Sequence, residues 1–340
     1  MVIGAASIIV IGYLTVRGGH FYMEHFQCAT PSMLPSKARD SLHWAYLREE
    51  IDPDLNMAQT HLNQALMIAQ EEANLPLTHP IIVDIVLRIA NNSVRLGNLY
   101  EARLEYQKLL QALVVAGGDE NLKKAIDVVK RMSKICLTMQ DYKSAEKYLE
   151  WAIGILTAGQ SSIVNNINLD LVQCNLMLAG IYAKRKQFDK ALSLYLGTLK
   201  KIKQLLQSSP SSEIKDRDSN KVHEINWNCW EGIIMGHLGE IFYAMGKEDE
   251  ALGWLQEGLK IAKSGGDDKV GERRDCDECV GVISNNLGLI YEKDGKIWNA
   301  GAFYTQAVSF AEKANDLEGL EEASRNLERI EKKLEKINNE

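Results

Sequence analysis

The sequence predicts an all-α protein of about six packed helix pairs, with a C-terminal capping helix and a short N-terminal membrane segment. Three observations carry this reading. A small residue, followed at fixed spacing by an aromatic and then by an alanine stripe, recurs along the 340 residues. Only six prolines occur, so long helices are possible. Residues 317–340 carry apolar residues at 317, 320, 327, 330, 334 and 337 among charged ones, one face of an amphipathic helix.

The first element is the uncharged run Val2 to Val16, "VIGAASIIVIGYLTV". As a helix it spans roughly 22 Å at about 1.5 Å per residue, against about 30 Å for a bilayer core. Extension past Arg17 to Phe21 and Tyr22 closes the gap, with Arg17 snorkelling and the aromatics at the interface. A secretory signal peptide would need basic residues before the run, and none stand there. A short buried core helix is the other alternative. The preferred reading is a membrane anchor over residues 2–26, truncated at its upstream flank. Arg17, Lys37 and Arg39 follow the run, and by the positive-inside rule they put the following domain on the cytosolic or matrix side.

The repeats come next. Trp44-Ala45 is followed by Ala58, Leu62 and Ala65, with one extra residue in the turn; Ile89-Ala90 by Ala102, Tyr106 and Leu109; Met132-Ser133 by Cys136, Ala145, Leu149 and Ala152. Leu178-Ala179 is followed by Tyr182, Ala191 and Tyr195; Leu238-Gly239 by Phe242, Ala251, Leu255 and Gly258; Leu287-Gly288 by Tyr291, Ala300, Tyr304 and Ala307. The small residue lets a second helix approach, and the aromatic three residues on fills the space beside it. The later alanine, large residue and small residue form one stripe of the second helix. Gly97, Gly246 and Gly295 suit helix C-caps, with Asn98, Asp141 or Asp249 starting the next helix.

This pattern resembles the tetratricopeptide repeat, a helix-turn-helix unit that stacks into a right-handed superhelical solenoid. The resemblance covers about Lys37 to Lys313 and implies a TPR domain over 37–340. Its repeats lie near 37–75, 80–116, 121–158, 165–206, 223–264 and 275–313, with a capping helix at 317–340. The key alanines are 43 to 60 residues apart, beyond the usual period of about 34, which implies longer second helices and longer loops. The family's closing proline is absent. Residues 207–220 are polar and Pro/Ser-rich and read as a mobile loop, with a shorter one at 263–275.

Composition excludes some classes. Apolar residues are 46% and charged residues 25%, ordinary for a folded domain. A net charge of −7 shows no basic surplus, so no nucleic-acid partner is expected. Six cysteines do not build a disulfide scaffold in a chain this long. "GGDE" at 117–120 matches the diguanylate-cyclase signature in letters only, because it joins two helices where glycines and an Asp N-cap explain it. The sequon at Asn91 falls in a helix. Trp227, Trp230, Trp254 and Trp298 read as packing. Neither a phosphate loop nor a catalytic triad or carboxylate pair stands out, so no enzyme activity and no cofactor are expected.

Cys276 and Cys279 form a CxxC, with Cys229 and His223 before the preceding first helix. A lone CxxC is weak evidence for metal, and none is expected there. A disulfide in the CxxC suits an oxidising compartment; a thiol- or metal-dependent redox protein is the alternative from another functional class.

The tetratricopeptide resemblance also implies a concave groove that binds an extended peptide or a partner's helix. The positions one ahead of the small residue and three behind it give Leu87, Asn91, Lys130, Lys134, Leu176, Gly180, Gly236, Glu240, Asn285 and Leu289. Arg88, Arg95 and Arg131 lie nearby and suggest a basic, amide-bearing patch for an acidic peptide. The family's carboxylate clamp needs Lys and Asn where this chain has Leu42 and Tyr46, so that function is not carried over.

Two stretches narrow the resemblance: "KARDSLHWAYLREEIDPDLNMAQTHLNQALMIAQEE" and "CDECVGVISNNLGLIYEKDGK". They look like fungal tetratricopeptide adaptors of the mitochondrial i-AAA protease. The resemblance implies a non-enzymatic adaptor on the mitochondrial inner membrane, with repeats in the intermembrane space. Its partners would be the AAA protease and unfolded substrate segments. The charge flank and the resemblance disagree about the side of the membrane. The runner-up is the animal-type mitochondrial repeat protein that assists respiratory complex III.

Overall fold

The computed structural model describes residues 18–19, 22–24, 28–158, 167–208, 213–215, 222–224, 227–264 and 274–339. Among them, thirteen α-helices follow in hairpin order. They are α1 (Ser36–Tyr46), α2 (Leu55–Glu71), α3 (Pro80–Arg95), α4 (Leu99–Ala116), α5 (Asp119–Thr138), α6 (Tyr142–Thr157) and α7 (Ile167–Lys184). Then come α8 (Phe188–Ser208), α9 (Trp227–Ala244), α10 (Glu248–Ser264), α11 (Arg274–Lys293), α12 (Ile297–Ala314) and α13 (Leu317–Asn339). The chain is an all-α stack of tetratricopeptide-like hairpins with a C-terminal capping helix.

The chain forms two compact units. Unit 1 holds α1 to α6 as far as Gly154, and unit 2 holds α7 to α13. In unit 1, α2 packs on α1 and α3, and α4 on α3 and α5. In unit 2, α8 packs on α7 and α9, α10 on α9 and α11, and α12 on α11 and α13; α9 also touches α11.

The repeated spacing is a packing code. Ala58, Ala102, Ala145, Ala191, Ala251 and Ala300 are all fully buried, as are Leu62, Leu149 and Tyr304 four residues beyond three of them. Each large side chain buried this way contributes about 1.5–3 kcal/mol. The small residues permit close approach. A β-carbon on Gly239 would lie 2.5 Å from Leu255, and one on Gly288 would lie 2.6 Å from the Tyr304 ring.

The hairpin turns share one cap. Asn98, Asp141, Gln187, Lys247 and Lys296 each donate a backbone N–H to the carbonyl five residues back, at 2.8–2.9 Å. The residue before each is left-handed: Gly97, Gln140, Lys186, Gly246 and Gly295. Asp141 caps α6 through Ser144 N at 3.2 Å. Asn98 makes no side-chain cap, and Asp249 lies inside the first turn of α10. In both cases the shared turn already fixes where the second helix begins. The first hairpin differs. Its extra residue is absorbed in a π-turn at Leu47–Ile51, and Asp54 caps α2 through Met57 N at 3.1 Å. Much of the long period is helix: α3 and α4 have 16 and 18 residues, and α8 has 21.

Several expectations change. Trp298 is 64% exposed, because it sits two residues before Ala300, outside the buried stripe. Leu317 is exposed at the start of α13, where Leu327, Ile330 and Leu334 make the apolar contact. Gly117 and Gly118 link α4 to α5 with positive φ, and the N-cap of α5 is Gly118 rather than Asp119. The 207–220 insert is not wholly loop: β1 (Glu213–Lys215) pairs antiparallel with β2 (Val222–Glu224). The 263–275 loop lies mostly outside the described residues, as does most of the anchor assigned to 2–26. Among the described residues, no helix is long and apolar enough to cross a membrane.

Candidate functional site

In a hairpin stack the first helix of each pair turns one face away from its partner helix. In unit 1 those helices are α1, α3 and α5. Asn91, Arg95 and Lys134 are exposed, whereas Leu87 is half-buried against the core. Lys130 is also half-buried and lies 4.0 Å from Asp127. The basic patch is smaller than its arginines suggest. Arg88 donates to Glu49 at 2.6 Å, and Arg131 donates to Asp127 at 2.9 Å. Glu49 sits on the π-turn, is 9% exposed, and also accepts from Asn92 at 2.6 Å. A buried carboxylate needs such partners. The arginine of the second repeat therefore ties α3 to the first repeat.

Sequence reasoning missed a cluster at the start of unit 1. Glu24 accepts from Thr30 N at 3.2 Å and Thr30 Oγ1 at 2.6 Å, and lies 2.7 Å from Arg39 and 2.9 Å from His43. Burial opposes ionisation of Glu24, but the hydrogen bonds from Thr30 and Arg39 outweigh it and hold its pKa at about 2. Arg39 and His43 stand six and two residues before Ala45; Asp84 and Arg88 stand at the same offsets before Ala90. That recurrence was the available signal. These offsets lie outside the groove positions one ahead of the small residue and three behind it.

In unit 2 the corresponding helices are α7, α9 and α11. Gly180 is half-buried, and a β-carbon there would make an ordinary contact with the Tyr195 hydroxyl of α8 at 3.8 Å. Glu240 is exposed, lies 3.0 Å from His237 Nδ1 and accepts from Asn286 at 2.9 Å. The first contact lies within α9, and the bond from Asn286 joins α9 to α11. Asn285, expected to face a partner, is buried beneath α13. Its amide donates to Glu322 at 3.1 Å, and its oxygen accepts from Asn326 at 2.8 Å. Two turns on, Glu292 accepts from Arg329 Nη2 at 2.6 Å, Lys333 at 2.8 Å and the Tyr304 hydroxyl at 2.8 Å. The Arg329 hydrogen bond leads in holding the Glu292 pKa down at about 2. The capping helix thus occupies the face of the last repeat, because α13 needs α11 and α12 to bury Ile330 and Leu334.

The CxxC is divided between two states. Cys276 is disulfide-bonded to Cys229, not to Cys279, with a Cα–Cα distance of 4.9 Å. Both bonded residues lie in the first turns of neighbouring first helices, α9 and α11. Residues three apart on one helix leave Cys279 a turn away, facing the core. Burial pushes its thiol up to about 12, which disfavours the thiolate that redox chemistry and metal binding need. No group of three or more metal-ligating side chains forms among the described residues.

Among solved structures, the chain is similar to the apo form of RapI, with TM-score 0.54 and 11% identity, covering 91% of this chain and 78% of that one. It is similar to aspartyl phosphate phosphatase F from Bacillus subtilis, with TM-score 0.52 and 9% identity, covering 87% and 70%. It is also similar to a Rap protein complexed with competence and sporulation factor, with TM-score 0.51 and 16% identity, covering 87% and 74%. At these identities the likeness is one of fold. No protein-family model and no curated protein matches the sequence.

Proposed function

We propose that this chain is a non-enzymatic protein-binding adaptor, and that it serves the i-AAA protease of the mitochondrial inner membrane by presenting unfolded substrate segments. The observation that carries the binding role is the hairpin stack itself. Its small-residue code goes into packing, and polar first-helix positions in unit 1, the amide of Asn91 and the cations of Arg95 and Lys134, are exposed. The protease is named on the resemblance of the first repeat and of the region around Cys276 to fungal adaptors of that class. The Cys229–Cys276 disulfide supports a setting in which disulfides persist, such as the intermembrane space, over the reducing matrix or cytosol.

The test is a cross-linked pull-down of the tagged full-length chain from its own membranes, with partners read by mass spectrometry. Recovery of an AAA protease is the expected result. Recovery of complex III subunits without that protease would replace the adaptor reading with the complex III one. A second check is Lys134→Glu with Arg95→Glu, expected to weaken partner capture while leaving helicity unchanged.

A further inference from the structure

We infer that Cys229, Cys276 and Cys279 form a thiol–disulfide exchange site: an external disulfide closes the bond first within the CxxC, and folding then transfers it to Cys229 and shuts Cys279 into the core. The site is independent of the partner proposed above.

The Cys229–Cys276 bond is sealed in the folded chain. Its two residues are 2% and 0% exposed, in the first turns of α9 and α11. Making or breaking the bond needs a thiolate that reaches one of its sulfurs. Inside the fold the candidate is Cys279, one turn along α11 from Cys276. Cys279 belongs to the same core as Leu255, Leu259 and Ile283. Burial, with Glu240 and Glu278 adding to it, pushes its thiol up to about 12. The folded chain therefore holds it protonated and inert. A bond this buried forms while the first turns of α9 and α11 are still open.

In that open state Cys276 has two partners. Cys279 is three residues away, and Cys229 stands at a sequence separation of 47. The short loop loses less chain entropy on closing. Exposure also returns the Cys279 thiol toward its ordinary value of 9.0, where it supplies thiolate. The chemistry balances with a disulfide such as oxidised glutathione as the oxidant. The Cys276 thiolate attacks one glutathione sulfur and releases the other as a thiolate. The Cys279 thiolate then attacks Cys276 Sγ and releases the second. Two cysteine thiols are oxidised and one glutathione disulfide is reduced.

The transfer needs no further oxidant. The Cys229 thiolate attacks Cys276 Sγ, the Cys276–Cys279 bond breaks, and Cys279 leaves as a thiolate that takes a proton from water. Packing of α11 on α9 and α10 holds the Cys229 and Cys276 α-carbons 4.9 Å apart, within the usual span of a disulfide. The same packing takes the Cys279 thiol into the core, and the reverse attack stops.

The test compares the folded, oxidised full-length chain with the same chain opened in urea, both at about pH 8, where an exposed thiol supplies thiolate. No reductant or oxidant is present, and disulfides are mapped by mass spectrometry after acid quenching and alkylation. The folded chain is expected to keep Cys229–Cys276. The opened chain should convert most of it to Cys276–Cys279, and dilution out of urea should restore it. During refolding from the reduced state with oxidised glutathione, Cys276–Cys279 should rise and fall as Cys229–Cys276 appears. Cys279→Ala should slow that appearance roughly tenfold, because the short loop is no longer available. Cys229→Ala reports without folding: in urea with oxidised glutathione it should stop at the Cys276–Cys279 bond. Exchange in the folded chain as fast as in the opened one, absence of Cys276–Cys279 from the opened chain and from Cys229→Ala, or an unchanged rate in Cys279→Ala would each overturn the proposal.

Discussion

In unit 1 the first-helix face carries the cations, and a segment outside the repeats brings the carboxylate: Arg39 and His43 receive Glu24. In unit 2 the polarity is reversed. The repeat supplies the carboxylate, Glu292, and the capping helix brings Arg329 and Lys333. Both carboxyls are held at about 2 by their donors, but the covering elements differ. The cover in unit 2 is a 23-residue helix with its own apolar seam. The cover in unit 1 is a short segment anchored by few buried side chains. Both covers reach a core, through Leu34 in unit 1 and through Ile330 in unit 2, but the second lays down the longer seam, and apolar area rather than charge pairing sets how hard an element is to remove.

Unit 2 is also cross-linked, and the largest expected effect tests that difference. Reduction, or Cys229→Ser, should cost unit 2 about 2–4 kcal/mol, because the bond closes a loop across a sequence separation of 47. Hydrogen exchange resolved along the chain should show α9 and α11 losing protection while α3 and α4 keep theirs. Equal loss in both units would mean that they do not unfold separately.

Gly288→Ala should come next, at about 1–3 kcal/mol. Its β-carbon would meet the ring of Tyr304, which is fully buried and hydrogen-bonded to Glu292, so the ring has little room to yield. Urea unfolding would measure it. A neutral result would mean that α11 and α12 can separate at no cost.

The third effect is pH-dependent. The Glu292 carboxyl sits below its ordinary value of 4.5 in the folded chain. Its contribution is therefore complete above about pH 4.5 and is lost as pH falls toward 2. Glu292→Gln should remove about 1 kcal/mol at neutral pH and flatten the stability profile over that window. The figure is well below the full shift because Arg329 and Lys333 are nearly half exposed and water screens the pair. A profile unchanged by the substitution would show that the cap is held by its apolar seam alone.

The smallest effect probes what the units share. Gln140 and Lys186 adopt the left-handed conformation that glycine takes in three of the other turns. Gln140→Gly in unit 1 and Lys186→Gly in unit 2 should each raise stability by about 0.5–1 kcal/mol, seen as a higher urea midpoint. A loss in either would mean that its side chain makes a contact worth more than the strain.

The repeat code was legible because it is local: the small residue, the aromatic three residues on and the alanine stripe lie within one hairpin, at spacings set by helix geometry. The extra residue before Ala58 was also visible, although only the structure turns it into a π-turn. The candidate site was less legible. Leu87 and Asn285 satisfy the same spacing rule as Asn91 and Lys134, yet Leu87 packs on the core and Asn285 lies under α13. The rule describes one helix pair and carries no information about what a distant segment lays over it.

By itself, then, the sequence determined the helical class, the six pairs, their turns and the residues of their contacts, since each depends on side chains within about one hairpin of one another. Only the tertiary structure decided that Cys276 bonds Cys229 rather than Cys279, that Arg88 serves Glu49, that α13 covers Asn285, and that Glu24 is seated on Arg39 and His43. Those outcomes depend on which elements meet across long stretches of chain, and burial then selects the partner: a carboxylate removed from water stays charged only where a donor from another element reaches it.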